Sequence, residues 1–137
     1  MLTRDIYNNV KVVNLVTPAA VGTTGISGGK LSAAIDLKGY ASCNITYQSS
    51  ASASVADTIT PVVYESDTTN GSFTSVAAAY LQGTEAVITL ATTANIKKVG
   101  YKGNKRYIKL RLYGTGTATA VVAASAQLGT PEAAPVA

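Results

Sequence analysis

The chain has no histidine and no tryptophan, and only one cysteine, one phenylalanine and one methionine in 137 residues; 13% of it is charged. Without histidine it lacks the commonest general base, the usual zinc ligand and the standard partner of a nucleophilic serine. The single Cys43 cannot close an internal disulfide, so the fold does not depend on an oxidising compartment. Set between Ser42 and Asn44 in an alternating run, it reads as a small buried hydrophobe rather than a reactive thiol. So little charge excludes a chain disordered throughout and a long solvated helix. With one Phe and no Trp, the large core side chains must be Val, Ile, Leu and some of the eight Tyr, a thin core of the kind an oligomer or partner completes. No run approaches the roughly 18 apolar residues of a membrane span, and Met1–Asp5 has no apolar stretch of a secretory signal. The expectation is one domain, made in the cytoplasm and not inserted in a membrane. At this length it buries roughly two-thirds of its unfolded surface.

What the chain does have is concentrated between Lys97 and Tyr113. Up to Glu85 there are four basic and six acidic residues; from Ala86 to Pro131 there are seven basic and none acidic. Ile108, Leu110 and Leu112 alternate with Tyr107, Lys109, Arg111 and Tyr113, the period-two signature of a strand with one buried face. Its other face is a ladder of cations and aromatics. The Gly100–Asn104 segment ahead of it predicts a turn, with Gly103 supplying free φ and Asn104 tolerating the left-handed region. Ile96–Tyr101 and Lys105–Tyr113 are therefore expected to form a central hairpin.

The rest of the chain reads as short strands between turn clusters. Residues 1–30 look like an arm with one strand: Val10, Val12 and Val13 are β-branched, Pro18 forbids a helix, and Gly22, Gly25, Gly28 and Gly29 mark a loop. That strand either adds to the sheet edge or reaches a neighbouring subunit. Leu31, Ala33, Ile35 and Leu37 predict one buried face, and Cys43, Ile45 and Tyr47 another. Ser49–Ala56 reads as loop. Ile59–Glu65 is a strand that Pro61 places at an edge or bulge. Asn70–Gly71 signals a hairpin turn, Val76–Leu81 a turn of helix or coil, and Val87–Leu90 a strand. Thr117–Ala126 closes the sheet. The sum is about eight strands, an all-β antiparallel sandwich, jelly roll or barrel, with a domain over 31–128 and a tail over 129–137.

Chemistry finds little footing here. Asp36, Asp57, Glu65, Asp67 and Glu85 show no paired arrangement of the kind glycoside hydrolysis needs. Gly22–Gly29 lacks the Lys-Ser/Thr and the helix of a phosphate cradle. Asp67 and Asn70 beside Gly71 lack the further acidic ligands of a calcium loop and read as a turn. No enzyme, cofactor or metal is expected. The basic ladder has three readings: protection of an exposed strand against edge pairing, a nucleic-acid platform, or a docking face for an acidic protein surface. A net charge of only +4 argues against nucleic acid.

At Gly100-Tyr101-Lys102-Gly103-Asn104-Lys105-Arg106-Tyr107, taken with Glu65-Ser66-Asp67 ahead of Phe73 and Val76, the chain resembles the head decoration, or cement, proteins encoded beside the major capsid gene of tailed bacteriophages. The likeness runs in order over most of the chain, through Asp5, Asn8-Asn9, Asp36-Leu37-Lys38-Gly39-Tyr40, Leu128-Gly129-Thr130-Pro131 and Ala134-Pro135. Glu132-Ala133 stands where related tails carry a basic residue. The resemblance implies a jelly-roll-like β-sandwich on the outer surface of a completed capsid, touching neighbouring major capsid subunits and further copies of itself as a dimer or trimer. It implies no catalysis and no cofactor. The contact face expected is Tyr101, Lys102, Lys105, Arg106, Tyr107, Lys109, Arg111 and Tyr113. The alternative is a β-sandwich glycan-binding or fibre-associated module with exposed Tyr as sugar platforms, against which the absence of Trp counts.

Overall fold

A computed structural model describes residues 6–21, 29–53, 56–116 and 120–132. Residues 1–5, 22–28, 54–55, 117–119 and 133–137 lie outside them, and with them most of the expected glycine loop and the expected tail. Six long strands carry the fold: β1 (Val10–Val21), β4 (Tyr40–Ser49), β5 (Thr58–Ser66), β9 (Asn95–Tyr101), β10 (Tyr107–Thr115) and β11 (Ala120–Pro131). Five two-residue strands join them: β2 (Lys30–Leu31), β3 (Ile35–Asp36), β6 (Thr74–Ser75), β7 (Leu81–Gln82) and β8 (Ile88–Thr89). One sheet runs β1–β11–β4–β9–β7; in the other, β10 lies between β5 and the pair β2 and β3, and β5 carries β6 and β8 at its ends. Every pairing is antiparallel. The two sheets face each other over one core, an antiparallel β-sandwich as the strand pattern predicts.

The chain winds between the sheets, and this corrects one expectation. β9 pairs with β4 and β7 in the first sheet, whereas β10 pairs with β5, β2 and β3 in the second. Gly100–Asn104 therefore belongs to an arch across the sandwich and not to a hairpin turn. Gly103 is needed for space rather than for a positive φ, since a Cβ there would lie 2.3 Å from the Tyr101 hydroxyl oxygen. The alternation of consecutive long strands β9, β10 and β11 between sheets is the jelly-roll habit, in which each strand finds its partners far along the chain.

Period-two patterning fills the core. Ile108, Leu110 and Leu112 of β10, Ile59 and Val63 of β5, and Ile45 and Tyr47 of β4 are fully buried. Each such aliphatic contributes about 1.5–3 kcal/mol by leaving water. β11 supplies small residues on its inner face, and register sets Ala124 beside Tyr47 and Ala126 beside Ile45. Large against small is how a chain poor in aromatics closes this core. Cys43 is buried there, and desolvation pushes its thiol up to about 12.

Local exceptions follow from hydrogen bonding. The expected face Leu31–Ala33–Ile35–Leu37 is broken, because Leu31 is exposed while Ser32 and Ile35 are buried. Between β2 and β3, Ser32 accepts the Leu110 N–H on its hydroxyl (2.9 Å) and donates its own N–H to the Leu110 carbonyl (2.8 Å). A side chain thus replaces one rung of the ladder and shifts the phase. Pro61 sits, as expected, where β5 lacks a strand on one side, between β8 at Thr58–Ile59 and β6 at Tyr64–Glu65. Two residues on, the Val63 N–H faces the same gap and donates to Glu85 Oε1 (2.5 Å), while Val76 N–H donates to the Val63 carbonyl. Burial first holds the Glu85 carboxyl above its ordinary range, against the lowering effect of that bond.

The opening segment enters as β1, the edge of the first sheet, bulged between Asn14 and Val16 and again between Val16 and Ala19. β11 continues past Leu128 to Pro131. The Val76–Leu81 segment contains a 3-10 turn, Ala78–Tyr80. No helix among the described residues is long and apolar enough to cross a membrane.

Candidate functional site

β10 is central in the second sheet, so the residues alternating with its buried aliphatics stand on that sheet's outer face. Tyr107, Lys109, Arg111 and Tyr113 are all half-buried there. Register sets Lys109 beside Tyr64, Tyr113 beside Thr60, and Arg111 between Val62 of β5 and Leu31 of β2. The β5–β6 loop lays the Phe73 ring under Lys109, whose Nζ lies 4.2 Å from the ring centroid. Attraction between ammonium and ring face holds a long side chain that would otherwise be free. Leu31, Tyr64, Phe73, Lys109 and Arg111 line a shallow hollow of about 180 Å³. A flat, ordered strip of rings and cations results.

The remaining candidate residues do not join this strip. Tyr101 is buried, contrary to the expectation of a contact residue. Its hydroxyl donates to Glu65 Oε2 (2.6 Å) and accepts the Lys105 N–H (3.0 Å), tying the arch to the second sheet. Burial, then the Glu65 carboxylate, raise its phenol above the ordinary tyrosine value. Lys102, Lys105 and Arg106 lie on the arch at one end of the sandwich. Lys105 pairs with Asp67 of the β5–β6 loop (2.5 Å). Arg106 grips Asp36 at two points, Nε to Oδ1 at 2.9 Å and Nη2 to Oδ2 at 2.7 Å, and its guanidinium lies 5.0 Å from the centre of the Tyr107 ring. The Arg106 bond is the main reason that Asp36 falls to about 2. Lys102 is exposed and anchored by its backbone N–H to the Tyr80 carbonyl (2.9 Å).

The basic half of the sequence is therefore divided. Lys97 and Lys98 belong to β9 in the first sheet, Lys102, Lys105 and Arg106 to the arch, and Lys109 and Arg111 to the outer face of the second sheet. Sequence reasoning missed Leu31, Tyr64 and Phe73 as members of that face. Tyr64 alternates visibly with Val63, but its placement beside Lys109 depends on long-range register. Among the described residues no cluster of three or more metal-ligating side chains forms.

No protein-family model matches the chain, and no curated protein matches it. Among solved structures it is similar to the N-terminal endo-1,4-β-D-xylanase 10B of Clostridium thermocellum, whose CBM22-1–GH10 modules were determined in complex with xylohexaose. That likeness has a TM-score of 0.47 at 15% identity and covers 96% of this chain and 28% of the xylanase chain.

Proposed function

We propose that the protein is a non-catalytic binding module of a virion, a decoration protein that docks on neighbouring major capsid subunits through the outer face of its second sheet. The observation that carries this reading is the strip Tyr107–Lys109–Arg111–Tyr113, widened by Tyr64 and Phe73 and set on a central strand. Tyr and Arg held on a rigid sheet lose little entropy on binding and are the side chains that dominate protein interfaces. Lys109 and Arg111 favour an acidic partner surface and speed the encounter with it. Non-catalytic action is supported by the carboxylates: Asp36, Glu65, Asp67 and Glu85 each hold the fold together, through Arg106, Tyr101, Lys105 and the Val63 N–H. The ordered run of short motifs resembling head decoration proteins supplies the partner. A molecule bridging two subunits makes its second contact intramolecularly, so an interface of about 1,200 Å² on each side suffices.

The hollow among Leu31, Tyr64, Phe73, Lys109 and Arg111 favours a second reading, a glycan-binding module in which the rings stack on a sugar and the cations meet its acidic groups. Cosedimentation with undecorated capsids, titrated to saturation and repeated at high salt, separates the two. Saturable binding at a fixed ratio to capsid subunits is expected. No sedimentation with capsids, together with selective binding on a glycan array, would replace decoration with glycan recognition.

A further inference from the structure

The first sheet ends on β1, and among the described residues no strand covers its outer side. The second half of this edge is blunted by two bulges between Asn14 and Ala19 and by Pro18. The first half, Val10–Asn14, is regular, and Val12 is 66% exposed. We propose that Val10–Asn14 is a homodimer interface in which two copies pair antiparallel, edge to edge, about a twofold axis at Val12.

Hydrogen bonding on the neighbouring strand shows which groups are available. Val121 of β11 donates its N–H to the Ser50 hydroxyl and accepts the Ser50 N–H on its carbonyl, so its backbone faces the β4 side. Period two then turns the backbone groups of Ala126 and Leu128 toward β1, where they meet Val13 and Lys11. The N–H and C=O groups of Val10, Val12 and Asn14 consequently point out of the open edge.

These three residues form a self-complementary set. With the axis at Val12, each Val12 exchanges both of its hydrogen bonds with the other, and Val10 of each copy does so with Asn14 of the other. Lys11 then lies opposite Val13. A pairing centred one residue earlier would set the two Lys11 ammonium groups directly opposite, which antiparallel pairs disfavour. Lys11 thus excludes that register, and a pairing centred one residue later would run into the bulge between Asn14 and Val16. The partner is a second copy because the same strand supplies both halves of an isologous contact, and the product is a continuous sheet of ten strands. This proposal does not depend on the face of the second sheet, which lies on the opposite side of the sandwich.

Sedimentation equilibrium of the whole protein, from about 10 µM to about 1 mM, covers the range in which so small a contact associates. The expected result is a monomer–dimer equilibrium for the wild type, weakened at least about tenfold in Val12→Lys and in Val12→Glu by like charges placed opposite each other. Mixing the two variants restores the dimer, and at a concentration low enough for the wild type to be monomeric both melt with it, because Val12 is exposed in the single chain. A wild type that stays monomeric overturns the proposal, as does undiminished dimerisation of either variant. Failure of the mixture to recover overturns the register at Val12.

Discussion

Tyr101 keeps its ring in the core and its hydroxyl between the Glu65 carboxylate and the Lys105 N–H. Removing that oxygen deprives a part-buried donor and a part-buried acceptor at once. Tyr101→Phe is therefore expected to cost about 1–3 kcal/mol in urea unfolding, although the ring is retained. Asp36 is the residue whose acid titration reports the end of the sandwich. The Arg106 bond holds its carboxyl at about 2, against an ordinary 3.8. A carboxyl lowered by folding contributes stability that is present above 3.8 and is lost as pH falls from there toward 2. Both side chains are more than two-fifths exposed, so this contribution is small. Arg106→Ala is expected to return the Asp36 midpoint to the ordinary carboxylate range in a carboxyl-detected NMR titration. An unchanged midpoint would show that the pairing does not persist in solution.

At the scale of the element, the break between β2 and β3 depends on one hydroxyl. Ser32→Ala leaves the Leu110 N–H without its acceptor in the middle of a buried strand, and a loss of about 1–3 kcal/mol is expected. Glycine at the same position also lacks the hydroxyl and should cost at least as much. Ser32 also marks where the sequence pattern ceased to suffice. The middles of Tyr40–Ser49, Thr58–Ser66 and Tyr107–Thr115 are legible because buried and half-buried residues alternate from Cys43 to Tyr47, from Ile59 to Val63 and from Ile108 to Leu112. Two-residue strands such as β2, β3 and β8 are too short to show a period, and Ser32 reverses the phase by substituting its side chain for the ladder. The expected Ile96–Tyr113 hairpin failed for a different reason. Alternating strands joined by a Gly-containing turn have the same local pattern whether the chain folds back in one sheet or arches to the other. Only distant partners, β4 for one and β5 for the other, decide between them.

For the whole molecule, the same distinction explains how much of the candidate site could be read beforehand. Tyr107, Lys109, Arg111 and Tyr113 share a face because residues two apart along a strand must. Tyr101 is near the group in sequence, yet it ends β9 with its ring in the core, and Leu31, Tyr64 and Phe73 reach the face from strands and loops far along the chain. Charge segregation in the sequence likewise became two sheets and an end loop rather than one basic surface. What remains is a compact strip of rings and cations on the second sheet, and a separate open edge on the first. The most direct test of docking through that strip compares capsid occupancy of the wild type with that of Lys109→Glu/Arg111→Glu, each first shown to melt cooperatively. The account predicts that the double variant loses most of its occupancy at low salt and that raising salt narrows the difference, because attraction to an acidic surface is screened. Equal occupancy of the two proteins at every salt concentration would contradict it.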